Sequence, residues 1–309
     1  MSGIVRAVTT HSRSAIFMDT LVTASVVSDL SEEAVAERIG RAFGWFAHVE
    51  QICSRFDPES ELSRLTARAA EPVPVSPLLF EAIRFAIEVA RLTHGAFDPT
   101  IGHALTRRGF NRNYRTGQML DAPGAMTERP DYRDVAIDAA AGTVTFLRPL
   151  ALDLGAVAKG LAIDLAAKEL ADFSGAVVEA GGDLHARGRN EAGEPWRVGI
   201  RHPRQDDALI EVLHVADAAV CTSGDYERRG NRAGDHHLLN PASGDSARAV
   251  ASVTVVAPTA MVADALSTAT FVLGPTRGLR FLASQGVDGL IFSSTLKRHA
   301  TAGLTRYLQ

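Results

Sequence analysis

Two stretches of this chain place cationic and hard-oxygen side chains where phosphate chemistry could use them. In LDLGAVAKGLAID, residues 152 to 164, Asp153 ends a predicted strand and Gly155 to Gly160 leads into a helix. A glycine-containing strand-to-helix turn exposes backbone N–H groups and lets a phosphate approach closely, with Lys159 available as a point charge. The same spacing also suits a tight turn that carries a surface lysine. In PTAMVADALSTATFVLG, residues 258 to 274, Thr259 is the expected N-cap, and Asp264 and Thr268 stand four apart on one helix face. Two oxygens on a rigid face can hold Mg2+, which takes hard oxygen ligands and completes its shell with carbonyls, water and substrate phosphate. A solvated face is the alternative. It is weakened because apolar residues crowd the helix on almost every side, where an unpaired carboxylate is costly to bury.

Four shorter segments, GAFDPTIG (95 to 102), EAGGDL (179 to 184), TSGDYER (222 to 228) and HHLLNPASG (236 to 244), set small or turn-forming residues beside Asp, Ser, Thr or His. Such neighbours are needed where backbone approaches a ligand, although each segment alone also fits an ordinary turn, with Asp98 or Asn240 before proline as turn initiator. His236 and His237 have no Cys or carboxylate motif nearby except Asp235, so a loop position facing solvent is the simpler reading of the pair.

Familiar signatures are missing. There is no GxxxxGK followed by Ser or Thr, no GxGxxG after a strand, no HExxH and no GxSxG, which argues against P-loop, Rossmann, zincin and α/β-hydrolase chemistry. The two cysteines, Cys53 and Cys221, belong to no metal or disulfide framework. With 32 Lys plus Arg against 36 Asp plus Glu the formal charge is −4, and no basic footprint for nucleic acid results. The start of the chain shows no continuous apolar region of a secretory signal and no lipoprotein cleavage motif, and no stretch is long enough to span a membrane. A cytoplasmic location is expected.

These residues must be positioned by a mixed set of elements. Residues 20 to 27 alternate as a β-branched strand. Ser31 opens a helix in which Val35, Ile39, Phe43, Phe46, Val49 and Cys53 form the buried face and Arg38 and Glu50 lie outside. A second helix follows Ser76 and stops at Gly95, while the Arg-rich stretch 107 to 134 reads as a long loop. Beyond residue 135 short strands dominate: a hairpin flanks Ala139 to Gly142, and strands are expected near 176–180, 196–201, 209–215, 252–257 and 288–292. Helices are expected near 158–171, 260–273 and 276–285, the last two separated by Gly274 and Pro275. The order implies an α+β architecture with largely antiparallel sheet and packed helices. Residues 1–17 read as a polar N-terminal arm and 18–309 as a single catalytic unit.

Taken in order with MDT (18 to 20) and SRFDPESELSRL (54 to 65), these segments resemble the FAD:protein FMN transferase family of ApbE-like proteins, from about Met18 to Gly274. The resemblance implies an ApbE-like fold and an enzyme that binds FAD and Mg2+. Such an enzyme transfers FMN to a Ser or Thr hydroxyl of an acceptor flavoprotein and releases AMP. By position, Asp264, Thr268 and the backbone carbonyl of Ala156 would be metal ligands. FAD would be met by Met18, Phe56, Ala96, Phe97, Asp98, Asp153, Lys159 and Leu238, with His237 and Lys159 catalytic. At an unperturbed pKa of roughly 6.5, His237 would accept a proton near neutral pH. Four positions depart from the family pattern: Asp19 for Gly, Phe56 for Tyr, Glu179 for Asn and Asn240 for Asp. Asp19 adds a charge beside the expected nucleotide, and Asn240 removes a carboxylate near His237. Two other activities are open to such a sequence: an FAD pyrophosphatase yielding FMN and AMP, and a non-catalytic FAD-binding or storage protein.

Overall fold

Strands β1 (Thr9–Phe17) and β2 (Thr20–Ser28) form a hairpin closed by Met18 and Asp19, both at positive φ (51° and 62°). Positive φ at both central residues is the signature of a type I′ turn, whose twist matches that of the strands it joins. The segment expected as a polar arm is strand over residues 9–17, and its residues 1–7 lie outside the described residues. Its side chains bond across the pair: Ser12 Oγ lies 2.7 Å from Ser25 Oγ and Ser14 Oγ 2.9 Å from Thr23 Oγ1. The computed structural model describes residues 8–121, 129–230 and 234–308, so part of the Arg-rich stretch 107 to 134 lies outside the described residues.

Helix α1 (Glu32–Cys53) begins at Ser31, whose side chain caps the Ala34 N–H, and it buries Val35, Ile39, Ala42, Phe46 and Val49 as its periodicity demands. Helix α2 (Glu61–Thr66), strand β3 (Val73–Pro74) and helix α3 (Pro77–Leu92) follow. Ser76 caps α3, and His94 and Gly95, both at positive φ, end that segment. A short helix α4 (Gly102–Arg107) precedes the hairpin of β4 (Val135–Asp138) and β5 (Thr143–Phe146). Then come α5 (Gly155–Glu169), β6 (Gly175–Ala180), β7 (Asp183–Gly188), β8 (Trp196–Arg201), β9 (Leu209–Val215) and β10 (Ala218–Gly224). Strand β11 (Val250–Ala257), helix α6 (Ala260–Ser284), β12 (Asp288–Ser293) and β13 (Arg298–Ala300) complete the series. Within α6 the two helices expected either side of Gly274 and Pro275 are present, separated by a break at Gly274, where φ is 77° and ψ is 172°.

The main sheet has the order β1-β2-β6-β7-β10-β11-β12-β13, with every neighbouring pair antiparallel. Helices α1, α3, α5 and α6 share a continuous apolar core with one face of it, while the β8–β9 hairpin and the C-terminal segment around Leu304 enclose a smaller core on the other. This is the expected α+β arrangement, segregating helices on an antiparallel sheet. Helices α5 and α6 meet closely at Gly160. A Cβ there would lie 2.5 Å from the Ala260 carbonyl oxygen and 2.6 Å from the Met261 Cα, so only glycine lets α5 cross the start of α6. We expect Gly160→Ala to lower unfolding free energy by about 1–3 kcal/mol through overpacking. Gly40→Ala, on the exposed side of α1 with nothing within 4 Å of its Cβ position, should raise it by about 0.5–1 kcal/mol. Urea unfolding of both variants measures the contrast.

Candidate active site

The crossing of α5 and α6 brings Lys159 and Asp264 together. Lys159 Nζ pairs with Asp183 Oδ2 at the start of β7 and lies 3.2 Å from Asp264 Oδ2. Both carboxylates are buried, Asp183 at 3% exposure and Asp264 at 5%. Asp183 is further held by the Thr222 N–H on its Oδ1 at 2.7 Å. Two buried carboxylates thus share one ammonium. Among the described residues Asp264 Oδ2 accepts no well-aligned hydrogen bond, although the lysine stands near it. Surplus negative charge in a buried place, on a carboxylate oxygen met by no aligned hydrogen bond, favours a further cation. Thr268 follows one turn along α6, and Ala156 sits in the first turn of α5. Hard oxygens of these types suit Mg2+. No group of three His, Cys, Asp or Glu residues clusters among the described residues, so a complete shell would draw on backbone carbonyl, water and substrate oxygens.

A second group centres on Arg55, which sequence reasoning did not single out. Its Nε donates to Asp153 Oδ2 at 2.6 Å, its Nη1 to Thr106 Oγ1 at 3.1 Å and its Nη2 to the Phe110 carbonyl. The guanidinium also lies 4.3 Å from the centre of the Phe56 ring, a cation–π contact that backs the ring with a fixed plate. Burial pushes the Asp153 pKa up, but the Arg55 charge and the Gly155 N–H more than reverse this, so the carboxylate is held below its usual range. Both Asp153 oxygens are engaged within the protein. The same holds for Asp98: Oδ1 accepts from the Thr100 N–H and hydroxyl at 2.9 and 2.8 Å, and Oδ2 from the Tyr132 N–H at 3.0 Å. Asp98 fixes the loop that carries Ala96 and the buried Phe97.

His237 differs most from expectation. Its Nδ1 is buried without a partner, its N–H donates to the Arg228 carbonyl at 3.2 Å, and its ring stands edge-on to Phe110, 6.3 Å between centroids. Burial first, then the charges of Arg228 and His236, push its pKa down to about 3, with Asp153 opposing. The imidazole is neutral at physiological pH. His236 is a structural residue, with Nε2 donating to the Ala247 carbonyl at 2.8 Å and its ring against Phe271. Leu238 is buried in the main core. Asn240 Oδ1 accepts from the Ala242 N–H at 3.0 Å and so closes the following turn, a task that an amide oxygen performs as well as a carboxylate.

Met18 sits in the hairpin turn, and its N–H donates to Glu50 Oε2 at 3.3 Å. Glu50 was expected to face outward, yet its side chain is only 14% exposed, because Arg115 from the long loop folds back and donates to the same oxygen at 2.6 Å. Asn113 Nδ2 reaches the Phe56 carbonyl at 3.3 Å. The loop therefore packs over Met18 and Phe56. Asp19, beside them, is exposed. Arg55, Asp183 and Ser223, which touches Thr268, lie in the motif segments without a role assigned from sequence. Only their position next to Phe56, after Gly181–Gly182, or before Gly224 hinted at them.

A histidine whose folded pKa lies below its unfolded value binds fewer protons folded than unfolded between the two values. Its stabilising effect is complete above roughly pH 6.5 and declines as pH falls toward 3. Urea unfolding between pH 7 and pH 4 should therefore show a shallower loss of stability in His237→Asn than in the parent protein.

A family model described as the ApbE family matches residues 18–291. The FAD:protein FMN transferase of Treponema pallidum (strain Nichols) is 33% identical over 323 residues, spanning 95% of this chain and 87% of that protein. The enzyme of the same name from Vibrio cholerae is 31% identical, spanning 84% of this chain and 81% of that one. A crystal structure of the ApbE protein of Thermotoga maritima superposes with a TM-score of 0.86 at 31% identity, over 97% of this chain and 99% of that chain. The flavin transferase ApbE from Vibrio cholerae superposes at 0.83 and 26% identity, over 97% and 100% of the two chains. No helix among the described residues is long and apolar enough to cross a membrane. Matching in sequence and in fold along nearly its whole length, the chain belongs to the ApbE family.

Proposed function

We propose that this protein is an FAD:protein FMN transferase that moves FMN from FAD to a Ser or Thr hydroxyl of an acceptor flavoprotein, with Mg2+ bound and AMP released. The observation that carries the reading is the buried Lys159–Asp183–Asp264 cluster, two carboxylates to one ammonium, in a chain whose relatives bear that enzyme's name. In this reading the acceptor hydroxyl oxygen bonds to the FMN-side phosphorus, the bond from that phosphorus to the AMP oxygen breaks, and AMP leaves. Asp264, Thr268 and the Ala156 carbonyl would hold Mg2+, whose chemistry there is charge neutralisation on the pyrophosphate oxygens.

The remaining work falls to the chain's own groups. Lys159, anchored by Asp183, offers an ammonium to a phosphate oxygen. Phe56, backed by Arg55, offers a flat apolar surface to an aromatic ring of FAD, and the Met18 turn, tied to Glu50, flanks it. Asp98 and Asp153 act through the backbone they hold: the Ala96–Phe97 loop and the start of α5. Neutral His237 is in the form that accepts the hydroxyl proton. Its low basicity arises partly from Arg228, and an anionic pyrophosphate beside that guanidinium would offset the charge and raise it.

Incubation with FAD, Mg2+ and an acceptor bearing a Ser/Thr-Gly-Ala-Ser/Thr segment should add the mass of FMN less one water to the acceptor, and EDTA should prevent it. FMN and AMP accumulating without acceptor would mark a pyrophosphatase instead, and FAD held intact for hours would mark a storage protein. Thr268→Val replaces an oxygen by a methyl of similar size. We expect it to lower turnover by about tenfold or more, while the thermal midpoint in EDTA moves by only a few degrees.

A further inference from the structure

Three hydroxyls link the Asp264 backbone carbonyl to Thr268, whose own hydroxyl is proposed to meet the metal. Ser267 Oγ donates to the Asp264 backbone carbonyl at 2.9 Å, Ser223 Oγ lies 2.8 Å from Ser267 Oγ, and Thr268 Oγ1 lies 3.2 Å from Ser223 Oγ. The chain runs from α6 across to β10 and back to α6. Ser267 is fully buried and Ser223 nearly so, so water does not compete for these bonds.

Proton counting sets the direction of the chain. A carbonyl only accepts, so the single Ser267 proton is spent on Asp264. Ser267 Oγ must then accept from Ser223, whose own proton is thereby spent, and Ser223 Oγ must accept from Thr268. The Thr268 hydroxyl is left with its hydrogen turned toward β10 and its lone pairs turned away from Ser223. A cation is repelled by an O–H dipole pointing at it and attracted by exposed lone pairs. We infer that Ser223 and Ser267 are positioning residues that preset the Thr268 hydroxyl as an acceptor for a divalent cation, before any cation arrives. The inference deepens the proposed Mg2+ reading and rests on it.

Outer hydrogen bonds that orient a metal ligand typically change metal affinity by tenfold or more when removed. The test is Mn2+ titration of the full chain without FAD, reading free Mn2+ by electron paramagnetic resonance, together with a thermal melt in EDTA. Wild type should bind and Asp264→Asn should not. Failure of the wild type to bind would overturn the metal reading and this inference with it. Ser223→Ala should raise the Mn2+ Kd by about tenfold, and Ser267→Ala should also raise it, because Ser223 is then free to turn its proton toward Thr268. Ser223→Thr, which keeps the hydroxyl, should stay within about twofold of wild type. A purely structural role would move the melts and leave the Kd alone. Should Ser223→Ala fail to fold, Ser267→Ala carries the same test. Wild-type affinity in a folded Ser223→Ala, or in a folded Ser267→Ala, would overturn the inference while leaving the metal site standing.

Discussion

Two buried carboxylates sharing one ammonium is the constraint around which the site is built. Asp183, Asp264 and Lys159 come from β7, α6 and α5, elements that meet only because α5 crosses α6 at Gly160 without a side chain between them. Removing charges from water costs several kcal/mol per ion unless partners compensate. Here the compensation is incomplete by one charge. The Thr222 N–H satisfies part of Asp183, whereas Asp264 Oδ2 meets the Lys159 ammonium without an aligned hydrogen bond. A site in that condition is poised to accept a cation, and the hydroxyl chain through Ser223 turns Thr268 toward the same task.

The other half of the site has the opposite balance. Arg55 neutralises Asp153 and stacks on Phe56, and burial, with the charge of Arg228 added, holds His237 neutral. A molecule with an anionic centre and a flat aromatic end meets complementary groups across the two halves. The slightly acidic chain as a whole gives no sign of this, because net charge averages over the surface whereas binding is decided by the few groups that burial leaves unbalanced. Glu50 and Arg115 extend the same logic to the long loop, pinning it beside Met18 through one shared carboxylate.

Much of the framework is legible in the sequence, and the reasons are local. Ser31 and Ser76 cap helices whose apolar residues recur at three and four, so α1 and α3 could be drawn from pattern alone. Strand β1 escapes that logic because most of its side chains, Ser12 and Ser14 among them, are polar, so its backbone ladder with β2 leaves no apolar alternation in the sequence. Strands β7 and β10 are missed because Asp183, Ser223 and Gly224 resemble turn residues until their partners are known. The candidate site divides in the same way. Asp264 stands out in an apolar helix, and Lys159 in a glycine-rich turn. Arg55 finds Asp153 98 positions away, Thr222 finds Asp183 39 away, and Ser223 finds Thr268 45 away, so no local pattern could join them. The neutral state of His237 arises from burial, which only the fold supplies.

In the proposed site the Asp264 carboxylate and the Thr268 hydroxyl hold a divalent cation against the nucleotide. An anomalous difference map from crystals grown with Mn2+ and FAD tests it most directly. One strong peak is expected within coordination distance of both side chains and of a pyrophosphate oxygen. A nucleotide bound in the site with no peak there, or with Lys159 alone meeting its phosphates, would contradict it.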